Sequence, residues 1–546
     1  MRNQCVVLTT VLLVFTGIVC PKPVLGAEGT DKVSALEQRI QSLEKQLTEL
    51  KTLLEDQKKA QTEKPAAPKP AAEEKPGPKL VGPPGKIEVG GDIRWRGRFF
   101  DNLFDFNNSL NDRSQTFRFR PRVYVDWQPN DEMEAYVRFT KEWLYGQDNE
   151  MPGYEVEAKD VMFDNAWGEV KNILGSGLSL RVGRQDLIYG EGFVLLDGTP
   201  QDGSQTTSFD AAKLTYTHDW GTTDLLYAKL YEYNNYNSDD EDMYGVYNKW
   251  KIGDFGLEPY LLVREKRGHP NEKVIASGYI DPFTYDPSKP ITPKYTFSSI
   301  DPSPAQETVL LGMRGTRSFE VANGVKLALA AEGGKEWGTV DFTGTDTVLK
   351  AFPGFKYSSQ VTTGEVDRDA WGGYFHGTLS FDKVAWKPSF KAGVTVMSGD
   401  DPNTRDYEGW DDFYGEWPKY SELYIYSIYD GFKTRTSYKD PVTGKLIVND
   451  PDIGAWSNMY MPEVVFTVQP TDKMKQTLRY LFFGAMEETG PGGGSDRGHN
   501  LQWLTEYTFT KNLSGHVLVE WFSPGNFYGP GADEAWFARF QLMYKF

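Results

Sequence analysis

Arginines at alternate positions are the side chains whose type and spacing could do chemistry here. Arg94, Arg96 and Arg98 alternate with Ile93, Trp95, Gly97 and Phe99, and Arg118, Arg120 and Arg122 alternate with Phe117, Phe119, Pro121 and Val123. A guanidinium stays charged at any physiological pH and offers a planar fork of donors to a carboxylate or phosphate. Rows of such groups attract anions. A period of two is the period of a β-strand, so each row occupies one face and the apolar residues the other. The same reading puts Arg138, Arg181, Gln185, Lys213, Arg314, Arg479, Arg539 and Lys545 on that charged surface. The acids Asp92, Asp126, Glu134, Glu142, Glu506 and Glu520 fall there too. Each arginine therefore has two readings, as a packed ion-pair member or as part of an anionic pathway. The clustering on the first two strands favours the pathway. The net charge of −18 makes these local basic rows stand out and argues against nucleic acid as a partner.

No catalytic constellation accompanies them. The sequence has no nucleophile elbow, phosphate-cradling loop, HExxH or CxxCH. His218, His269, His376, His499 and His516 are scattered, and the chain does not read as an enzyme. Both cysteines, Cys5 and Cys20, precede residue 27, so no cofactor, metal or haem on cysteine is expected in the mature chain. Asp411-Asp412 and the run Ser238-Asp239-Asp240-Glu241-Asp242 fall in or beside expected external loops. They read as solvated, with bridging of divalent cations at a lipopolysaccharide surface as the second reading.

Two kinds of fold could carry alternating strands. A soluble sandwich hides the apolar face; a membrane barrel turns it to lipid and lines its lumen with charge. Aromatics make up 14% of the chain while hydrophobics reach only 39%, a pairing that disfavours membrane helices and suits a barrel with aromatic girdles. About 18 strand-like runs follow residue 87, many near the roughly 10 residues a tilted strand needs to cross a bilayer. Every second connection is tight: Gln128-Pro129-Asn130-Asp131, Leu174-Gly175-Ser176, Asp219-Trp220-Gly221, Gly253-Asp254-Phe255-Gly256, Ala322-Asn323-Gly324, Asp382-Lys383, Gln469-Pro470-Thr471-Asp472 and Lys511-Asn512. The connections 267–305, 338–367 and 399–455 are long. Short turns alternating with long loops predict an all-β, transmembrane antiparallel barrel over 87–546, turns to the periplasm and loops outside.

The N-terminal part is of another kind. Residues 1–26 read as a secretory signal, with Arg2, an apolar Val6–Val19 core and Val24-Leu25-Gly26 before the cut; a lipoprotein reading of Cys20 competes, but Val19 stands where a small residue is expected. In 31–60, Val33, Leu36, Ile40, Leu43, Leu47, Leu50 and Leu54 make a coiled-coil seam. Residues 61–86 form a Pro/Ala/Lys-rich linker. The seam implies self-association or a periplasmic partner.

The last strand, Trp536 to Phe546, alternates to a terminal Phe, which resembles the signal by which the assembly machinery recognises outer-membrane proteins. Arg181-Val182-Gly183-Arg184-Gln185-Asp186-Leu187-Ile188-Tyr189-Gly190-Glu191-Gly192, then Ser208-Phe209-Asp210-Ala211-Ala212-Lys213-Leu214, resembles the core motif of the alginate-export outer-membrane family. So does Met397-Ser398-Gly399-Asp400-Asp401 leading to Phe413-Tyr414-Gly415-Glu416-Trp417-Pro418. The resemblance implies an 18-stranded barrel in the outer membrane of a Gram-negative bacterium, in contact with lipid and lipopolysaccharide. Its arginine-rich lumen would pass an anionic exopolysaccharide, with Gly183, Arg184, Gln185, Asp186, Tyr189 and Gly190 as family residues. The N-terminal segment resembles instead those of phosphate- or carbohydrate-type porins, which are commonly trimers. The competing expectation is a barrel that sheathes a partner protein, a cell-wall tether or an electron-transfer conduit.

Overall fold

The computed structural model describes residues 85–546 apart from 103–105, 107–112, 146–160, 197–208, 232–239, 268–275, 281–304, 351–354, 402–403, 405, 417–418, 425–437, 440–445, 448–455, 489–491 and 529–530. The chain divides into two units, 1–82 and 83–546, and the second carries the barrel. The signal peptide, the coiled coil of 31–60 and all but the end of the 61–86 linker lie outside the described residues.

The second unit is a closed antiparallel barrel of 18 strands. They are β1 Lys86–Asp101, β2 Ser114–Asn130, β3 Met133–Thr140, β4 Met162–Val170, β5 Leu178–Gln185, β6 Phe209–His218, β7 Gly221–Tyr231, β8 Glu241–Ile252 and β9 Phe255–Lys266. They continue as β10 Gln306–Ala322, β11 Val325–Lys350, β12 Phe355–Phe381, β13 Ser389–Met397, β14 Met459–Thr471, β15 Met474–Gly484, β16 Asp496–Thr508, β17 Leu513–Pro524 and β18 Ala535–Lys545. Each pairs with its sequence neighbour, and β1 pairs with both β2 and β18, which closes the sheet and leaves it no free edge. The closure is fixed to the last residue: Gly91 and Phe546 exchange backbone N–H···O bonds of 2.9 and 3.0 Å.

Alternation sets the faces. Val182, Leu261, Leu311, Phe375, Val464 and Trp503 are exposed on the outside. Arg94, Arg96, Arg98, Arg118, Arg120, Arg122 and Arg539 are buried inside. That is the inverse of a soluble sheet and suits hydrocarbon. Among the described residues no helix is long and apolar enough to cross a membrane.

The short connections all fall at one end, as their turn residues predict. At the other end the expectation of three long loops needs correction. Residues 338–367 are mostly not loop: β11 and β12 pair without a break from Val325↔Phe381 to Lys350↔Lys356 and project as one long hairpin. The 267–305 connection contains a strand, Ala276–Ile280, that adds to the edge of β12. Thr- and Val-rich stretches favour strand wherever a partner lies alongside, and a reading tied to bilayer thickness stops them too early.

Candidate transport lumen

β1 and β2 lie in a register that sets arginine against arginine. Arg94 is opposite Arg120, Arg96 opposite Arg118, and on the other side Arg98 is opposite Arg539 of β18. Like charges facing each other destabilise a strand pair, and burying them unpaired costs several kcal/mol per ion. The wall therefore draws in acceptors. Arg94 donates to Glu142 (3.1 Å). Arg96 grips Gln541 Oε1 through Nε and Nη2 (2.9 and 2.6 Å). Arg122 pairs with Asp92 (2.7 Å), which also lies 3.7 Å from Arg120. Arg98 and Arg539 share Glu422, at 3.4 Å from Arg98. Arg118 is buried in the same wall.

The other expected lumen residues are brought inside with partners of their own. Arg138 pairs with Asp164 (2.7 Å) and lies 3.7 Å from Asp186. Arg181 pairs with Glu169 (2.7 Å) and lies 3.7 Å over the Trp167 ring. Lys213 is half-buried opposite Arg181. Arg314 reaches Glu191 (3.0 Å) and Glu258 (2.7 Å), and Arg479 reaches Glu463 (2.7 Å). Gln185 is buried but its amide bonds to the backbone of Gly183 and Ala211, so it serves the wall. Lys545 ends β18 exposed at the short-turn mouth. Arg184 belongs to the opposite strand face and forms a bidentate pair with exposed Asp210 at 2.8 Å. Among the expected acids, Glu134 pairs with Lys171, Glu506 with Lys475 (2.7 Å), and Glu520 accepts from Ser421 (2.5 Å).

Two segments enter the barrel from the long-loop end. The first is 186–196, after β5. The second comprises the described residues of 398–424, after β13. They join each other by three backbone bonds: Leu196 N to Tyr414 O (2.8 Å), Tyr414 N to Val194 O (3.0 Å) and Glu416 N to Gly192 O (2.8 Å). Phe193 stacks on fully buried Trp410 with centroids 5.4 Å apart. Trp410 lies against a bare stretch of β12: a Cβ on Gly372 would sit 2.7 Å from its ring.

This corrects the solvated reading of Asp411-Asp412, both of which are buried inside the barrel. Asp411 accepts from Arg264 of β9 and, at 3.3 Å, from Arg368 of β12, and its own N–H donates to Glu336 (3.1 Å). The described part of the acidic run at the start of β8 is corrected likewise: Glu241 and Asp242 are buried, and Asp240 pairs with Lys229 at 2.8 Å, while Ser238 and Asp239 lie outside the described residues. An adjacent acidic pair in a long connection looks the same whether it meets water or two arginines from distant strands. Arg264 and Arg368 were missed for the same reason, since neither sits in an arginine row.

The tip of the first loop, Tyr189-Gly190-Glu191-Gly192, enters a polar network opposite the arginine wall. Tyr189 donates to Asp224 (2.7 Å), Tyr247 to Glu258 (2.8 Å), and Tyr260 and Tyr374 to Glu332 (3.1 and 3.0 Å). Glu191 receives Arg314 and His376 (2.8 Å to the imidazole). Against the effect of burial, these bonds bring its carboxyl down to about 2. Between the second loop and strands β12 to β18 lies a cavity of about 410 Å3, lined by Lys391, Lys419, Arg479, Arg539, Glu422 and Glu463 among others. Its walls carry both signs of charge.

The second loop is expected to dock more weakly as pH rises. Burial and then the Asp411 charge push Asp412 up to about 7, and burial pushes Asp400 up to about 6. Asp411 stays ionised: burial opposes this, but Arg264 and Arg368 hold it below the usual range. A carboxyl whose pKa is raised by docking favours the docked loop when protonated. That contribution is full below the ordinary carboxylate value and is lost as pH climbs through 6 to 7. Hydrogen exchange of 406–416 should therefore be faster at pH 8 than at pH 5, after correction for intrinsic rates; a flat profile would refute the assignment.

A closed barrel, apolar outside and charged inside, with turns at one end and loops folded in from the other, is an outer-membrane channel of a Gram-negative bacterium. The chain belongs to the alginate export family, whose model matches residues 86–439. Both inward-loop motifs lie within that span. Among solved structures it is similar to OccK11 (OpdR) of Pseudomonas aeruginosa, at 11% identity over 84% of this chain and 95% of that one, with a TM-score of 0.46. OprD from the same organism gives 10%, 84%, 93% and 0.43. OmpT of Vibrio cholerae gives 10%, 86%, 100% and 0.36. No similar sequence is found among curated proteins.

Proposed function

We propose that the barrel passes anionic solutes or an anionic polysaccharide, and that the wall formed by β18, β1 and β2 selects for negative charge. The observation that carries this is the register: Arg94, Arg96, Arg98, Arg118, Arg120, Arg122 and Arg539 converge from three adjacent strands on one inward sector. A sector where guanidiniums converge in a low-dielectric wall raises the local anion concentration.

The test is the reversal potential of the purified chain in a planar bilayer under a KCl gradient. Anion selectivity is expected. It should be lost, with a potential shift toward zero or the opposite sign, when Arg94, Arg96, Arg118 and Arg120 are replaced by Gln. Equal selectivity in the wild type and the fourfold variant would overturn the reading. A barrel that conducts nothing even with 398–424 removed would support the sheath for a partner protein instead.

A further inference from the structure

Two acids of the second inward loop sit on wall arginines, and they sit there differently. Asp411 is enclosed. It touches two guanidiniums, accepts the N–H of Phe413 (2.9 Å) and is fully buried. Glu422 is at the other end of the loop and borders the cavity. Its carboxylate spans Arg98 of β1 and Arg539 of β18, one oxygen to each. The backbone around it is held by Glu520 of β17, which accepts from Glu422 N (3.1 Å) and Ser421 Oγ.

A loop carboxylate bridging two strands of a basic wall occupies the position that a carboxylate of a passing anion would take. Guanidinium forks bind carboxylates by shape as well as charge and do not distinguish an internal one from an external one. We propose that Glu422 is an internal stand-in for the carboxylate of the transported anion. An entering carboxylate chain, of the polyuronate type, displaces it from Arg98 and Arg539 while Asp411 keeps the loop tethered. This rests on the anionic pathway proposed above and adds to it the identity of the group that must leave. The exchange is neutral in charge: one carboxylate replaces another on the same arginines, so the buried guanidiniums are never left uncompensated. That removes the largest electrostatic barrier to opening a buried ion pair. It also favours carboxylate-bearing chains over neutral ones, because a neutral sugar cannot take over the charge.

The experiment compares block of KCl current by oligogalacturonate and by a neutral maltooligosaccharide of equal length. The full chain is used as wild type, Glu422→Gln and Glu422→Asp. The amide of Glu422→Gln keeps the size and removes the competitor. The half-blocking concentration of oligogalacturonate should fall about tenfold and that of the neutral oligomer should not change. Glu422→Asp keeps the charge but withdraws the carboxylate by one methylene, and an intermediate fall is expected. An unchanged or raised half-blocking concentration for oligogalacturonate in either variant would overturn the proposal, as would an equal fall for the neutral oligomer. Should Glu422→Gln fail to assemble a heat-modifiable barrel, the Glu422→Asp result decides alone. KCl reversal potentials from the same membranes report the underlying reading separately. A cation-selective wild type defeats the anionic pathway, whereas an anion-selective one with unshifted block defeats only the stand-in.

Discussion

Replacing Asp411 by Ala is expected to release the second inward loop from the barrel wall and to raise single-channel conductance several-fold. The reason is the number of buried charges that depend on one carboxylate. Arg264 reaches Asp411 with both terminal nitrogens, and Arg368 reaches it while also contacting Glu336 at 3.4 Å. All four side chains are essentially buried. Removing one partner from a buried ion pair costs roughly 3–5 kcal/mol, mainly because the remaining charge is left without compensation. Here Arg264 keeps the neutral Gln306, at 3.5 Å, and the more distant carboxylate of Glu241, at 3.9 Å, and the backbone N–H of Phe413 also loses its acceptor. The docked state cannot absorb this, whereas the released loop exposes the arginines to water. The barrel itself should persist, since its strands pair through backbone bonds that the substitution does not touch. Asp411→Asn retains acceptor capacity without the charge and should open the loop less. The readouts are single-channel conductance and protease cleavage within 406–416. Wild-type conductance in Asp411→Ala would mean that the loop is held chiefly elsewhere.

Gly190→Val should act on the other inward loop with comparable force. Gly190 has φ +56, in the left-handed region, which a β-branched residue enters only with strain. A Cβ there would stand 3.0 Å from Arg314 Cδ, 3.2 Å from a Glu332 oxygen and 3.4 Å from the Tyr247 hydroxyl. These groups form the network that grips Glu191, so they cannot yield without losing hydrogen bonds to one another. Backbone strain and the displaced network together amount to on the order of 3 kcal/mol. The expected result is loss of hydrogen-exchange protection at Tyr189 and Gly192, whose N–H groups are bonded within the loop, and faster exchange at Tyr414 and Glu416 as the loop pairing fails. Protection like that of the wild type would refute it. Gly190→Ala carries the same φ with a smaller group and should fall between.

The barrel was legible because its signals are local. Period-two alternation, Asn, Asp, Gly and Pro at the tight turns, and an alternating C-terminal strand each act over a few residues, and the strands formed near where those signals placed them. The seam was legible only as adjacency: antiparallel closure makes β18 the neighbour of β1, whereas Arg539 opposite Arg98 is set by the register of the closed sheet. The inward loops were not. Whether Asp411 meets solvent or Arg264, 147 positions away, depends on contacts that no periodicity encodes. Glu422 and Arg98 are 324 positions apart. The arginine rows announced a basic wall, but not how many of its members would be held by carboxylates from elsewhere in the chain. The Tyr189-Gly190-Glu191-Gly192 motif stood out in the sequence only by resemblance. Its physical basis, a tight left-handed tip seated between Arg314, Glu332 and Tyr247, is a property of the folded interior.

The register of β1 also bears on the life of the chain before the barrel is sealed. Until β18 arrives, β1 is an open edge, and an open edge is a template on which another chain can add a strand and begin to aggregate. A second copy of β1 laid antiparallel on the first would bring two rows of guanidiniums together without Glu142 and Glu422, the acids that other parts of the chain supply to Arg94 and Arg98. The correct closing strand differs in kind. It brings Gln541 to Arg96, and its Arg539 joins Arg98 on Glu422. The arginines of the seam therefore discourage self-association in transit and reward only the strand that completes the ring.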